Sequence, residues 1–208
     1  MVDAEVVTAS SIRVLMVTPE AFPFAKTGGL ADVCGALPVA LVKLGCDVKV
    51  VMPGYRTVDA DRFGAREVIA REAVPFAGTD IERSVFHVRR DGVDWYFVHA
   101  PAYYHRECLY SVGNTDYEDN AERFTFLAQQ ALALVKTLDW KPDIAHSHDW
   151  QAGLIPAYLR HPVKSGGIDT RHPFYAGIRT LHTIHNMAYH GQFPKEKIQR
   201  CMRNRSWR

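Results

Sequence analysis

Residues 12–18, Ile-Arg-Val-Leu-Met-Val-Thr, form an apolar run that passes through a proline-containing loop to Gly28-Gly29. From Leu30 the apolar positions recur at steps of three or four, at Leu30, Val33, Leu37, Leu41 and Leu44, and Gly45 ends the series. A buried strand feeding a helix through paired glycines predicts the β–loop–α unit of an open α/β sheet, with backbone donors at its carboxyl edge. The first turn of a helix has unpaired N–H groups and a partial positive charge, which suits a phosphate. Two glycines permit close approach of a ligand to the backbone, and Lys26 adds a mobile ammonium. Taken alone, a Gly-Gly pair is more often an ordinary strand–helix turn beside a surface lysine.

The rest of the chain repeats the alternation. Asp47–Met52 reads as a second strand, closed by Pro53-Gly54 and parallel to the first. Residues 66–100 hold three short β-rich runs, Glu67–Phe76, Ile81–Arg89 and Trp95–His99, divided by Gly78-Thr79-Asp80 and Asp91-Gly92. The spacing predicts an antiparallel insert. Residues 101–116 read as a long polar and aromatic loop. Thr115 and Glu118 have capping-box spacing before a helix with Phe124, Leu127, Ala131, Leu134 and Leu138 on one stripe. Residues 143–147 form a strand running into His148-Asp149-Trp150, a helix follows through Leu154, Ile155, Tyr158 and Leu159, and residues 162–177 are a loop. Arg179–Ile184 is the next strand and leads to His185-Asn186. The expected architecture is one α/β domain: a Rossmann-like, mainly parallel doubly wound sheet, helices on both faces, and a β-rich insert near 66–100.

Three strands therefore end in polar groups, at Lys26 with its glycines, at His148-Asp149 and at His185-Asn186. In an open parallel sheet these ends share one edge, so a single site built from all three is expected there. The histidines admit a rival, a metal-dependent hydrolase with zinc held by His146, His148 and His185. Along a strand His146 and His148 share a face. A barrel hydrolase, however, needs seven more strand–helix units after its His-x-His, where only about sixty residues follow. For His146 and His182, satisfied core histidines at strand ends are the preferred reading.

Lys26-Thr27-Gly28-Gly29-Leu30-Ala31-Asp32-Val33 resembles the lysine-glycine-glycine signature of bacterial glycogen synthases and plant starch synthases, the ADP-glucose-dependent α-glucan synthases of glycosyltransferase family 5. Glu20 and Pro23 fit that pattern. So do Tyr117, Asp119, Asn120, Arg123 and Phe124, His148-Asp149-Trp150, and Thr183-Ile184-His185-Asn186-Met187-Ala188-Tyr189. The resemblance implies that Asp149 and His185 are catalytic, beside the donor glucose. It places Lys26, Gly28 and Gly29 at the diphosphate, and Asp32, Asn186 and Tyr117 among the substrate-binding residues. The other residues of the Tyr117–Phe124 stretch read as helix capping and ion pairing. It further implies transfer of glucose from ADP-glucose to an α-1,4-glucan with retention, no metal and no cofactor. In that family the active site lies between two Rossmann-like domains (the GT-B architecture), and this chain matches the first of them. A non-catalytic glucan-binding module remains the second alternative.

Charge and address agree with such an enzyme. The net charge is +2, but residues 195–208 hold six Lys/Arg and one Glu, or +5, leaving −3 on residues 1–194. No basic field for nucleic acid is expected on the main body, and no run has the length of a membrane span. Four widely separated cysteines read as reduced thiols. Residues 1–11 read as a flexible leader without the features of a signal or transit peptide, so a cytoplasmic location is expected. The resemblance is carried by residues 12–197, and residues 198–208 read as a divergent basic tail where the second domain's sequence is expected. An interrupted gene and a fragment are both compatible with that.

Overall fold

The computed structural model describes residues 11–161 and 163–202, apart from the side chains of residues 198, 200 and 202. Residues 1–10 of the expected leader and 203–208 of the expected tail lie outside the described residues.

The strand–glycine–helix segment folds as read. Arg13–Val17 (β1) leads through the loop to Gly29–Lys43 (α1), and Asp47–Pro53 (β2) pairs in parallel with β1. Along α1 the buried residues are Leu30, Ala31, Cys34 and Pro38, with Leu37 and Leu41 partly covered. Val33 and Leu44 of the expected stripe are exposed. Val33 falls on the outer side of the second turn, and Leu44 is the C-cap residue where the helix has already ended.

Arg66–Phe76 (β3) and Thr79–Arg90 (β4) form an antiparallel hairpin, followed by Val93–His99 (β5). Both turns have two residues at positive φ, Ala77-Gly78 (51° and 87°) and Asp91-Gly92 (52° and 79°). This is the primed turn geometry that matches strand twist. One correction follows. β5 is antiparallel to β4 but parallel to β2, so it belongs to the parallel core and the insert is only the β3–β4 hairpin. The burial of nearly every β5 residue, Asp94 included, is that of an inner parallel strand. Parallel pairing requires a crossover; between β2 and β5 that crossover is a β-hairpin, with only the short helix Ala60–Phe63 before it.

Asn120–Thr137 (α2) is buried on almost all sides, including Arg123, Gln129 and Gln130. Its start differs from the expectation. Thr115 lies in a two-residue hairpin strand, Asp119 occupies the N-cap, and no side chain caps the helix. A capping box needs its Ser or Thr at the N-cap, and this helix begins five residues beyond Thr115. Ile144–His148 (β6), Leu154–Arg160 (α3) and Arg179–Thr183 (β7) follow as read, and Lys195–Met202 (α4) ends the described chain. Cys201 of α4 is buried, and its carbonyl accepts from Ser165 Oγ at 2.9 Å. The boundary drawn at residue 197 thus falls inside a packed helix. All four cysteines are free.

The sheet order is β7-β6-β1-β2-β5-β4-β3, with the first five strands parallel. The chain steps from β1 to β2 in one direction and returns from β5 to β6 on the other side of β1. Right-handed crossovers therefore put α1 and α2 on opposite faces. The direction reverses between β1 and β6, the switch point where open α/β sheets bind ligands.

Candidate active site

Each residue group after a parallel strand is positioned by a different local device. In the loop after β1 the device is Glu20. Its buried carboxylate accepts from Thr27 N at 2.5 Å and from Thr27 Oγ at 3.0 Å, which fixes the entry to α1. Gly28 is the N-cap, with no side-chain bond to the first turn. Neither Gly28 nor Gly29 is forced by the fold. Their φ values are not in the left-handed range, and a Cβ on either would meet nothing within 4 Å. Lys26 Nζ pairs with both carboxylate oxygens of Asp32, at 2.6 and 2.7 Å, and the two side chains are about half exposed. A pair so exposed is worth at most about 1 kcal/mol, so the ammonium can exchange partners readily.

After β6, His148 is the last strand residue and is fully buried. Asp149 follows at φ +54°, a left-handed conformation that Asp tolerates better than most residues. This turn carries the Asp149 carboxylate toward the end of β7, where Oδ1 accepts from the backbone N of His185 at 2.6 Å. Asp149 thus ties the two strand ends together. His148 Nδ1 and His185 Nε2 are 2.9 Å apart, with the rings stacked at 5.2 Å. Burial, reinforced by His146 and His185, pulls His148 down to about 3; burial also pulls His146 down to about 4. Both are neutral at physiological pH.

The remaining expected residues separate by location. His146 is buried against His148, ring centroids 4.1 Å apart as a shared strand face requires, and its Nε2 meets Thr183 Oγ at 2.8 Å. His182 is partnered by Ser147 Oγ at 2.9 Å but is exposed, so it is not a core residue. β7 is the sheet edge, which leaves that face open. Asn186 Oδ1 accepts from Ala188 N at 2.9 Å and closes a turn. Tyr117 lies between the Arg106 and Arg123 guanidiniums, 4.5 and 5.0 Å from its ring centroid, and its hydroxyl donates to the Cys108 carbonyl. Its contacts thus run to the 101–119 loop and α2, whereas the strand-end groups lie after β1, β6 and β7. Arg123 is buried, with Nε donating to the Tyr103 carbonyl at 2.7 Å and Nη1 to Asn120 Oδ1 at 2.6 Å. Arg106 pairs with Asp119 at 2.5 Å. The capping and pairing reading of this stretch therefore describes Asp119, Asn120 and Arg123, though by tertiary bonds.

One participant was not singled out in the sequence: Cys34 of α1 is buried, with its Sγ within 4.8 Å of a ring nitrogen of both His148 and His185. The convergence of strand ends placed His148 near His185, but no local signal brings residue 34 to them. The trio that gathers is Cys34, His148 and His185; His146 is directed to Thr183 instead.

Comparison with known proteins fits this geometry. The family model described as starch synthase catalytic domain matches residues 13–207, through the stretch read as tail. The glycogen synthase of Syntrophotalea carbinolica is 40% identical over 187 residues, covering 90% of this chain and 37% of that protein. That of Anaeromyxobacter sp. strain K is 43% identical over 188 residues, with the same coverage. The chain thus spans about 37% of the length of the curated relatives it matches. A solved structure, the catalytic domain of starch synthase IV from Arabidopsis thaliana bound to ADP and acarbose, superposes with a TM-score of 0.77 at 25% identity, over 94% of this chain and 38% of that one. A parallel sheet with its switch point between β1 and β6, and a family match over nearly the whole chain, lead to one conclusion: the chain belongs to the starch synthase catalytic domain family, with a Rossmann-like fold of the GT-B type.

Proposed function

We propose that these residues are the acceptor-side, N-terminal half of a glycogen or starch synthase that transfers glucose from ADP-glucose to an α-1,4-glucan with retention. The observation that carries the reading is the Asp149–His185 bond between the ends of β6 and β7, at the same sheet edge as the Lys26–Gly29 loop that follows the neighbouring parallel strand β1. The relatives are named glycogen synthases, and the Arabidopsis structure holds ADP and a sugar-like ligand.

In this reading the uncapped first turn of α1 and the open space over Gly28 and Gly29 receive the diphosphate. Lys26 leaves Asp32 to neutralise it, and backbone donors with a cation stabilise the departing ADP electrostatically. Asp32 then orients Lys26. His185 meets the donor sugar and holds its anomeric carbon toward the acceptor hydroxyl. Asp149 acts chiefly through His185, whose backbone N–H one of its carboxylate oxygens holds. Asn186 sets the turn beyond His185. Tyr117 belongs to the loop scaffold and reaches substrate only if that loop moves. Within the proposed enzyme the adenine pocket and a second cation come from a further domain, whose closure excludes water.

The test is a radiolabelled transfer assay on a chimera joining residues 1–202, which keep α4 whole, to the C-terminal half of the Syntrophotalea carbinolica glycogen synthase. Glucose transfer from ADP-glucose is expected, and none from the 208 residues alone. Glycogen binding without transfer by the chimera supports a glucan-binding module instead.

A further inference from the structure

Cys34, His148 and His185 come from three separate elements: the second turn of α1, the last residue of β6 and the loop after β7. Their Sγ and one ring nitrogen of each histidine lie within 4.8 Å of one another. Cys34 and His148 are fully buried, while His185 is half-buried. His148 also has a second ring nitrogen, Nε2, buried without a hydrogen-bond partner among the described residues.

We infer that Cys34, His148 and His185 form a binding site for a soft four-coordinate cation of the Zn²⁺ type, and that its occupancy withdraws His185 from the crevice. One thiolate and two imidazoles with a fourth position left for water is a three-ligand set that suits zinc. Bond lengths of about 2.0–2.3 Å put tetrahedral ligand atoms about 3.3–3.7 Å apart, so the longest separation in the cluster has to close by about 1 Å, while the facing histidine nitrogens, 2.9 Å apart, have to part slightly. His185 is the ligand with room to adjust, since its side chain is half-buried and it follows an edge strand, whereas Cys34 and His148 are fully buried. Binding replaces coordinated water by the three side chains and breaks the His148–His185 contact. The thiol proton passes to solvent, and no electron is transferred. The remaining positive charge is offset by Asp149 and Glu20, both buried and both close enough to act on the Cys34 thiol. With no carboxylate in the ligand set, Mg²⁺ and Ca²⁺ are poor occupants.

The site itself is independent of the proposed transfer activity; only its inhibitory consequence rests on that reading. The experiment is a Co²⁺ titration of the 208-residue chain carrying Cys108→Ser, which removes the exposed thiol, under a phosphine reductant. The expected spectrum has the strong visible bands of tetrahedral Co²⁺ and a thiolate-to-cobalt charge-transfer band, saturating at one equivalent and displaced by Zn²⁺. Cys34→Ser should abolish the charge-transfer band and weaken binding at least tenfold. Cys34→Val, which fills the buried position without a ligand atom, should do the same while keeping the circular dichroism of the parent, so that loss of the site is separated from loss of the fold. A weak octahedral spectrum in the parent, or an undiminished charge-transfer band in either variant, overturns the inference. In an active chimera Zn²⁺ should abolish transfer at the occupancy seen with Co²⁺, and a chelator should restore it; unchanged transfer with the site filled overturns the withdrawal of His185. A chimera inactive from the start counts against the proposed function, while the cobalt spectrum still decides the site.

Discussion

Asp149 and the buried histidines make the residue scale the most informative about the site. The Asp149 carboxylate anchors the His185 backbone, and its own backbone is left-handed. Replacement by Ala removes a charged acceptor and leaves a Cβ-bearing residue at positive φ without local compensation. The expected loss is about 1–3 kcal/mol in urea denaturation, and transfer by the chimera should fall with it. Asp149→Asn keeps an acceptor and a residue that tolerates φ > 0, so it should recover most of the stability. Unchanged stability in Asp149→Ala would instead point to a simple strand-end role. The histidines add a pH dependence. His146 and His148 have folded values of about 4 and about 3, against about 6.5 when unfolded. The unfolded chain therefore binds more protons below pH ~6.5, and stability is full above that pH and declines below it. Between pH 7.5 and 5 the expected decline is on the order of 2 kcal/mol per histidine. His146→Asn, which can still bond Thr183, should remove about half of that slope in urea titrations.

At the scale of the element, α1 contains glycines of two kinds. A Cβ on Gly35 would lie 2.4 Å from the carbonyl oxygen of Phe22, because the helix packs directly on the loop that precedes it. Gly35→Ala should destabilise by about 1–3 kcal/mol, with a lower midpoint in thermal or urea unfolding. Gly28 and Gly29 have open space above them. Alanine at either should change stability by less than about 0.5 kcal/mol, yet raise the KM for ADP-glucose in the chimera if a diphosphate approaches there. Glycines needed by the fold and glycines needed by a ligand look alike in the sequence. They separate only when the neighbouring atoms are known. The same limit explains the helix α2, whose apolar stripe was evident while its start was not. The capping-box spacing at Thr115 is outweighed by tertiary bonds that place Asp119 and Asn120 at the helix start.

For the whole molecule, the open face of β7 dominates. Leu181, Ile184, Met187 and Tyr189 are 51%, 60%, 77% and 70% exposed along one sheet edge and its following loop. An unpaired edge strand with apolar side chains favours self-association. The 208-residue chain should therefore show concentration-dependent mass in sedimentation experiments, and Ile184→Lys should shift it toward the monomer. Strand–helix alternation, the Gly-Gly turn, the Asp91-Gly92 hairpin turn and the convergence of three strand ends at one sheet edge were all determined by the sequence alone. They depend on local periodicity, on turn chemistry and on the chirality of crossovers. The first hairpin, by contrast, turns at Ala77-Gly78, one residue before the expected Gly78–Asp80. The parallel pairing of β5, the inward continuation of the chain through Cys201, and the meeting of Cys34 and His148 with His185 were decided by the tertiary structure. Contacts between residues 36 to 151 positions apart have no periodicity to announce them. They follow from which strand lies next to which, and that is settled by how the whole sheet buries its two faces.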